Sequence, residues 1–150
     1  MNVDQAHTSL GLLLRLVHQH WTQAIETQLE DAGFGDVRPS HANIFSFARP
    51  EGISVSELTR LSHVRKQTMA QVVGEMERLG YVERRPDPND GRARLVFLTE
   101  RGSAVRPVAM AASRAAEKRW SDLMGQRPID TLRRSLRVVL EHLDDPSSSR

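Results

Sequence analysis

Between Gly80 and Gly102 the chain reads Gly-Tyr-Val-Glu-Arg-Arg-Pro-Asp-Pro-Asn-Asp-Gly-Arg-Ala-Arg-Leu-Val-Phe-Leu-Thr-Glu-Arg-Gly, two strand-forming runs around a dense turn. Tyr81, Val82 and Leu95 to Leu98 supply β-branched and aromatic side chains, while Pro86 to Gly91 supplies residues that preset or tolerate turn dihedrals. A β-hairpin is predicted. Arg92 and Arg94, two apart on an extended strand, are expected to project from one face near its tip, where two cations can reach a phosphate-lined groove. A solvated charged hairpin has the same composition, so its meaning depends on what precedes it.

What precedes it is a helical pattern over residues 65–79. Met69, Val72, Val73, Met76 and Leu79 recur at helical spacing, and Gly80 follows as the expected stop. The opposite face holds Gln67, Gln71, Gly74 and Arg78, with Ala70 beside them. Glutamines can make bidentate hydrogen bonds to adenine edges, and small residues let a backbone approach a groove closely. Arg65, Lys66 and Thr68 crowd the first turn, where the helix dipole and free amides already favour an anion. Further upstream, Ser54-Val55-Ser56-Glu57 fits a capping box with Ile53 and Leu58 as its hydrophobic staple, so a short helix is predicted from Val55 through Leu61. The break around Ser62-His63-Val64 has the length of a helix-turn-helix, with His63 where a turn residue belongs.

Helix, turn, helix and arginine-tipped hairpin in this order point to double-stranded DNA. Here the chain resembles the MarR family of bacterial winged-helix regulators. The resemblance rests on Lys66-Gln67-Thr68-Met69, Glu77-Arg78-Leu79-Gly80-Tyr81-Val82, Asp87-Pro88-Asn89-Asp90-Gly91-Arg92 and Leu98-Thr99-Glu100-Arg101-Gly102. It implies that Arg92 enters the minor groove, that Asp90 holds the wing through an ion pair within its Asp-Gly-Arg unit, and that the start of the 65–79 helix reads the major groove. The expected DNA-binding set is Arg65, Lys66, Gln67, Thr68, Gln71, Asp90, Arg92 and Arg94. At the position of Arg65, family members often carry serine or threonine.

The overall charge of +2 looks small for a nucleic-acid partner until it is divided along the chain. Residues 1–59 hold 3 basic against 7 acidic residues, residues 60–106 hold 10 against 6, and residues 107–150 hold 8 against 6. The local excess lies on the helix-turn-helix and hairpin, where phosphate neutralisation needs it. The absence of cysteine excludes disulfides, thiolate metal sites and a thiol-based sensor. No signal peptide or membrane-length apolar run is seen, so a cytoplasmic protein with no membrane partner is expected. The six histidines fall in no ligand-spaced motif, and no nucleophile or phosphate-loop motif is present. No enzyme, metal site or cofactor is predicted. A winged helix turned protein-interaction module is the alternative, but it should carry apolar residues where Gln67, Gln71 and Arg78 stand.

The flanks read as long helices. An apolar stripe from Leu10 to Leu29 predicts one over about residues 5–31; Pro39 suits the first turn of a shorter one holding Ala42, Ile44, Phe45 and Phe47. Thr99 is the expected cap of a helix to about Met124, which Pro107 should kink or delay, and Pro128 is expected to open the last helix before a frayed tail over residues 144–150. The final stripe of Ile129, Leu132, Leu136, Val139, Leu140 and Leu143 exceeds what one small domain can cover, and a homodimer is expected. The whole is a mainly α fold with a small β-hairpin wing (α+β): a dimerisation helix over 1–34, a winged helix-turn-helix over 35–103 and dimerisation helices over 104–150. The resemblance implies a regulator, expected to be a repressor on a palindromic operator, responsive to a small aromatic or anionic effector. His18 with Trp21, and His41 with Phe45, share helix faces and could line its pocket; the alternative is that Trp21 and Phe45 are core and the histidines are satisfied by local hydrogen bonds.

Overall fold

The computed structural model describes residues 9–143; His7, residues 5–8 of the first predicted helix and the tail over residues 144–150 lie outside them. The chain forms two compact units, one ending at Ala112 and the other beginning at Ser113. The fold is mainly α with one two-stranded antiparallel hairpin, as predicted. In the first unit, α1 (Leu10–Asp31) is followed by a 3-10 turn at Pro39–His41, α2 (Ala42–Phe47), α3 (Val55–Ser62), α4 (Lys66–Arg78), β1 (Val82–Pro86) and β2 (Arg94–Leu98). The helix α5 (Glu100–Met124) contains the division between the units, and α6 (Gln126–Leu143) completes the second.

The core of the first unit is assembled from the predicted stripes. Leu29 of α1, Ile44 and Phe45 of α2, Leu58 of α3, and Met69, Val72, Val73 and Met76 of α4 are buried with Tyr81, Val82, Val96 and Val105. A fully buried side chain of this size contributes roughly 1.5–3 kcal/mol, so these residues fix where α4 can lie. Ile53 joins them and also exchanges both backbone hydrogen bonds with Val96, at 3.1 and 2.8 Å. That one-residue bridge adds a third partner to the hairpin and was not visible in the staple reading of Ile53.

Several helix boundaries differ from expectation for local reasons. Ser9 caps α1 by accepting from the Leu12 amide at 3.2 Å, which sets the start of α1 at Leu10. The capping box of α3 is half formed: Ser54 Oγ accepts from the Glu57 amide at 3.1 Å, but the Glu57 carboxylate is drawn to Arg60 instead of the cap. Thr99 caps α5 through the Gly102 amide, and Pro107 does not delay the helix. Pro107 and Ser103, whose carbonyl loses its partner, are both exposed, so water can replace the missing bond. Pro128 is the third residue of α6, not the first; amides of a first turn have no intrahelical acceptor to lose.

At the junction of α4, β1 and α5 the geometry requires two glycines. Gly80 has φ of +80° and closes α4 with its amide on the Glu77 carbonyl. Gly102, in the first turn of α5, lies so close to the Tyr81 carbonyl that a Cβ there would fall 2.0 Å from the oxygen.

A polar cluster fastens the same junction. The Tyr81 hydroxyl donates to Asp36 Oδ1, and Arg101 donates to Asp36 Oδ2 at 2.9 Å and to the Tyr81 oxygen at 3.0 Å while stacking over the Tyr81 ring. The Tyr81 hydroxyl holds the Asp36 carboxyl below the usual carboxylate range; burial opposes the shift and the Arg101 charge assists it. Because the folded-state pKa is depressed, the stabilisation is fully present above the unfolded value near 3.8 and is lost as pH falls through the folded one. Asp36→Asn is therefore expected to lower the unfolding temperature at pH 7, with the gap to wild type closing as pH falls below the unfolded-state value near 3.8. Thermal unfolding across that range checks it; a gap constant with pH would contradict the assignment.

Candidate nucleic-acid interface

The buried face of α4 leaves Arg65, Lys66, Gln67, Thr68, Ala70 and Gln71 all exposed on one unit. Arg65 is the N-cap residue, extended and making no side-chain cap bond, so the amides of the first turn are not closed off by a side chain. The chain reaches that point through His63, which caps α3 with φ of +55°, the left-handed conformation that a turn without glycine must force on another residue. The predicted reading surface is therefore presented as a contiguous polar strip on a rigid support. Gly74 is the exception: it lies on the outward face, but the Arg84 side chain covers it, with Nη2 3.8 Å from where a Cβ would stand.

The wing is an antiparallel pair in register from Val82 opposite Leu98 to Pro86 opposite Arg94. Its tip is built by two aspartates. Asp87 Oδ1 accepts from the Asn89 amide at 2.8 Å, and Asp90 Oδ1 accepts from the Arg92 amide at 3.1 Å. Each closes a local turn by bonding two residues ahead. Asp90 thus supports the wing as expected, but through the Arg92 backbone and not through an ion pair with its guanidinium. Asp87, which had not been singled out, does the same work one turn earlier. Arg92 lies in the turn, exposed, and not on the strand, so it does not share a strand face with Arg94. Arg94 begins β2 and donates from Nη2 to the Arg84 carbonyl at 3.2 Å. Arg85 stacks on Phe97, with its guanidinium carbon 4.8 Å from the ring centre.

The proposed effector residues separate. His41 is fully buried: its Nδ1 accepts from the Arg38 amide at 3.0 Å, and Nε2 lies 3.4 Å from Glu75 Oε2. Phe45 packs edge-on against Tyr81 with ring centres 5.9 Å apart. Both are taken up by the core and do not line an open surface. His18 is exposed on α1, and Trp21 is half-buried one turn later. Among the described residues no group of three or more histidine, aspartate or glutamate side chains could hold a metal ion.

Residues 36–93, the span containing α2 through the wing turn, match the model of the MarR family. A transcriptional regulator from Escherichia coli O111:H-, HosA, is 31% identical over 97 residues, covering 65% of this chain and 69% of that protein. The chain belongs to the MarR family. It is a MarR-family transcriptional regulator, and the related proteins are regulators, not enzymes. The transcriptional activatory protein BadR of Rhodopseudomonas palustris is 29% identical over 133 residues, 87% of this chain and 71% of that one. The MarR fold extends over nearly the whole chain: CouR from Rhodococcus jostii, solved bound to p-coumaroyl-CoA, superposes with a TM-score of 0.73 over 97% of each chain at 24% identity.

The residues that sequence reasoning missed are Arg84, Asp87 and the Asp36, Tyr81, Arg101 cluster. A period-two reading of β1 puts Arg84 on the strand face of Val82 but does not say what that face meets beyond the core.

Proposed function

We propose that this MarR-family chain acts as a homodimer on palindromic double-stranded DNA, α4 entering the major groove and the wing tip the adjacent minor groove. The observation that carries it is the exposed set of Arg65, Lys66, Gln67, Thr68 and Gln71, polar and basic, on a helix whose opposite face, with Met69, Val72, Val73 and Met76, is core. An interaction module would show apolar residues there. Gln67, Thr68 and Gln71 are the proposed base-reading residues, and Arg65 and Lys66 the phosphate contacts. Selection of bound fragments from random DNA tests this: recovery of an inverted repeat with half-sites about 34 Å apart is the expected result, and no enrichment would sink it. Lys66→Ala is expected to weaken all DNA sequences alike and to reduce the slope of affinity against salt by about 1, measured by titration at several salt concentrations.

The dimer rests on apolar side chains left open in each unit. On α1 these are Leu10, Leu13, Leu14 and Val17; on α6 they are Leu132, Leu136, Val139, Leu140 and Leu143, from 39% exposed at Leu136 to 73% at Leu143. Patches of this kind mark interfaces. Introducing glutamate at Leu136 and Leu140 together is expected to give a monomer in sedimentation and to abolish operator binding at nanomolar protein. A dimer of wild-type stability would contradict this assignment.

The regulator is proposed to repress by occupying its operator and to release it on binding a small aromatic or anionic ligand in a site that includes His18 and Trp21. CouR, which shares the fold, was solved with an aromatic and anionic ligand. Calorimetric titration of wild type and Trp21→Ala with p-coumaroyl-CoA as probe tests the ligand class; equal heats from both proteins would remove Trp21 from the site.

A further inference from the structure

Side chains alternate along β1, so Val82 and Arg84 leave the strand on the same side, toward α4. Val82 enters the core. Two residues on, Arg84 lies against α4 instead of entering the core. Its Nε sits 3.4 Å from Glu77 Oε2 and its Nη2 reaches the open position above Gly74. On the helix, Gly74 stands about 20° from Gln67 and about 60° from Gln71, opposite Met69 and Met76. The strand therefore delivers a guanidinium onto the reading face of α4, in line with its glutamines.

Nothing within the fold requires glycine at residue 74. Its φ is not positive, and a Cβ there would meet only the Arg84 Nη2, at ordinary contact distance. A glycine within a helix is costly, and what its bareness provides here is a flat seat for a planar cation. The cation is also incompletely engaged. Arg84 Nε is buried with no hydrogen bond, and the Glu77 contact is an ion pair at the long end of the range. A planar guanidinium with free donors, aligned beside glutamines that read adenine, has the shape that fits the O6 and N7 acceptors of guanine.

We infer that Arg84 is a further specificity-determining residue, reading a guanine edge in the major groove from a seat formed by Gly74 and steered by Glu77. The inference rests on the DNA-binding reading above. The test measures affinity of wild type, Arg84→Lys, Gly74→Leu and Glu77→Gln for the selected operator and for each of its single-base variants, with thermal unfolding of all four as a control of folding. Arg84→Lys keeps the charge and loses the fork; it is expected to bind the operator about tenfold or more weakly, to bind unrelated DNA as wild type does, and to lose its preference at one G·C pair. Gly74→Leu fills the seat and is expected to reproduce that loss while unfolding at or above the wild-type temperature. Glu77→Gln frees the guanidinium and is expected to hold operator affinity or increase it.

Operator preference unchanged in both Arg84→Lys and Gly74→Leu would overturn the inference, as would an equal loss on every sequence, which marks a phosphate contact. A loss in Glu77→Gln as large as that in Arg84→Lys would also overturn it, because the pair would then be only a brace between wing and helix. Wild type selecting no DNA sequence overturns the DNA-binding reading and this inference together; wild type selecting an operator that Arg84→Lys binds equally well overturns this inference alone.

Discussion

Gly102→Ala is expected to destabilise the first unit by about 3 kcal/mol or more, at or beyond the upper end of ordinary overpacking. The added Cβ would stand 2.0 Å from the Tyr81 carbonyl oxygen, 3.0 Å from its carbon and 3.3 Å from Leu98 Cδ2. A flexible side chain could move aside; this carbonyl cannot move without breaking a bond, because it accepts the Thr99 amide at 3.0 Å. Thr99 in turn donates its hydroxyl to the Gly80 carbonyl at 2.6 Å and accepts the Gly102 amide at 3.1 Å. Relief of the overlap would thus separate the end of α4 from the start of α5, and with it the Tyr81, Asp36 and Arg101 cluster. Gly11→Ala is the matched control, since a Cβ there meets nothing within 4 Å and α1 should gain roughly 1 kcal/mol. Urea unfolding of the two variants checks the contrast, and a Gly102→Ala protein as stable as wild type would contradict the packing described.

The same junction shows which parts of the molecule were legible in the sequence. Thr99 as a cap, Gly80 as a stop and the α4 stripe were readable because each depends on residues three or four apart, the range over which helix geometry dictates contact. The wing was readable because turn residues carry their dihedral preferences with them. Asp36, Tyr81 and Arg101 are brought together across 45 and 65 positions, and no local period encodes such a meeting. Each had a satisfactory local reading as a loop acid, a strand aromatic and a surface base.

The candidate site divides along the same line. Gln67 and Gln71 were placed outward by the helix period alone. His41 and Phe45 stand four apart, but that spacing does not say whether they meet a ligand or the core: His41 falls in the 3-10 turn and is fully buried, and Phe45 packs on Tyr81. Arg84 needed the direction of β1 relative to α4, a tertiary quantity. The reassignment of Asp90 has a different origin: an aspartate two residues before an arginine can bond its amide or its guanidinium, and only the turn conformation selects between them.

That selection gives the wing its sharpest functional prediction. With Asp90 bound to the Arg92 amide, the Arg92 guanidinium has no hydrogen-bond or ion-pair partner among the described residues and stands exposed at the tip. Its removal should therefore cost the fold almost nothing. Arg92→Ala is expected to unfold at the wild-type temperature yet to bind its operator more weakly by about 1–3 kcal/mol, roughly 5- to 150-fold, with the greater loss where flanking A·T pairs narrow the minor groove and deepen its negative potential. Arg94→Ala should behave in the opposite sense. Because Arg94 bonds the Arg84 carbonyl across the hairpin, its loss should lower the unfolding temperature measurably and weaken binding less, through the wing's geometry and not through a groove contact. Measuring stability and operator affinity for both variants, on A·T-rich and G·C-rich flanks, separates the two roles. If Arg92→Ala bound an A·T-flanked operator as tightly as wild type, the free guanidinium at the wing tip would have no part in DNA recognition, however well its turn presents it.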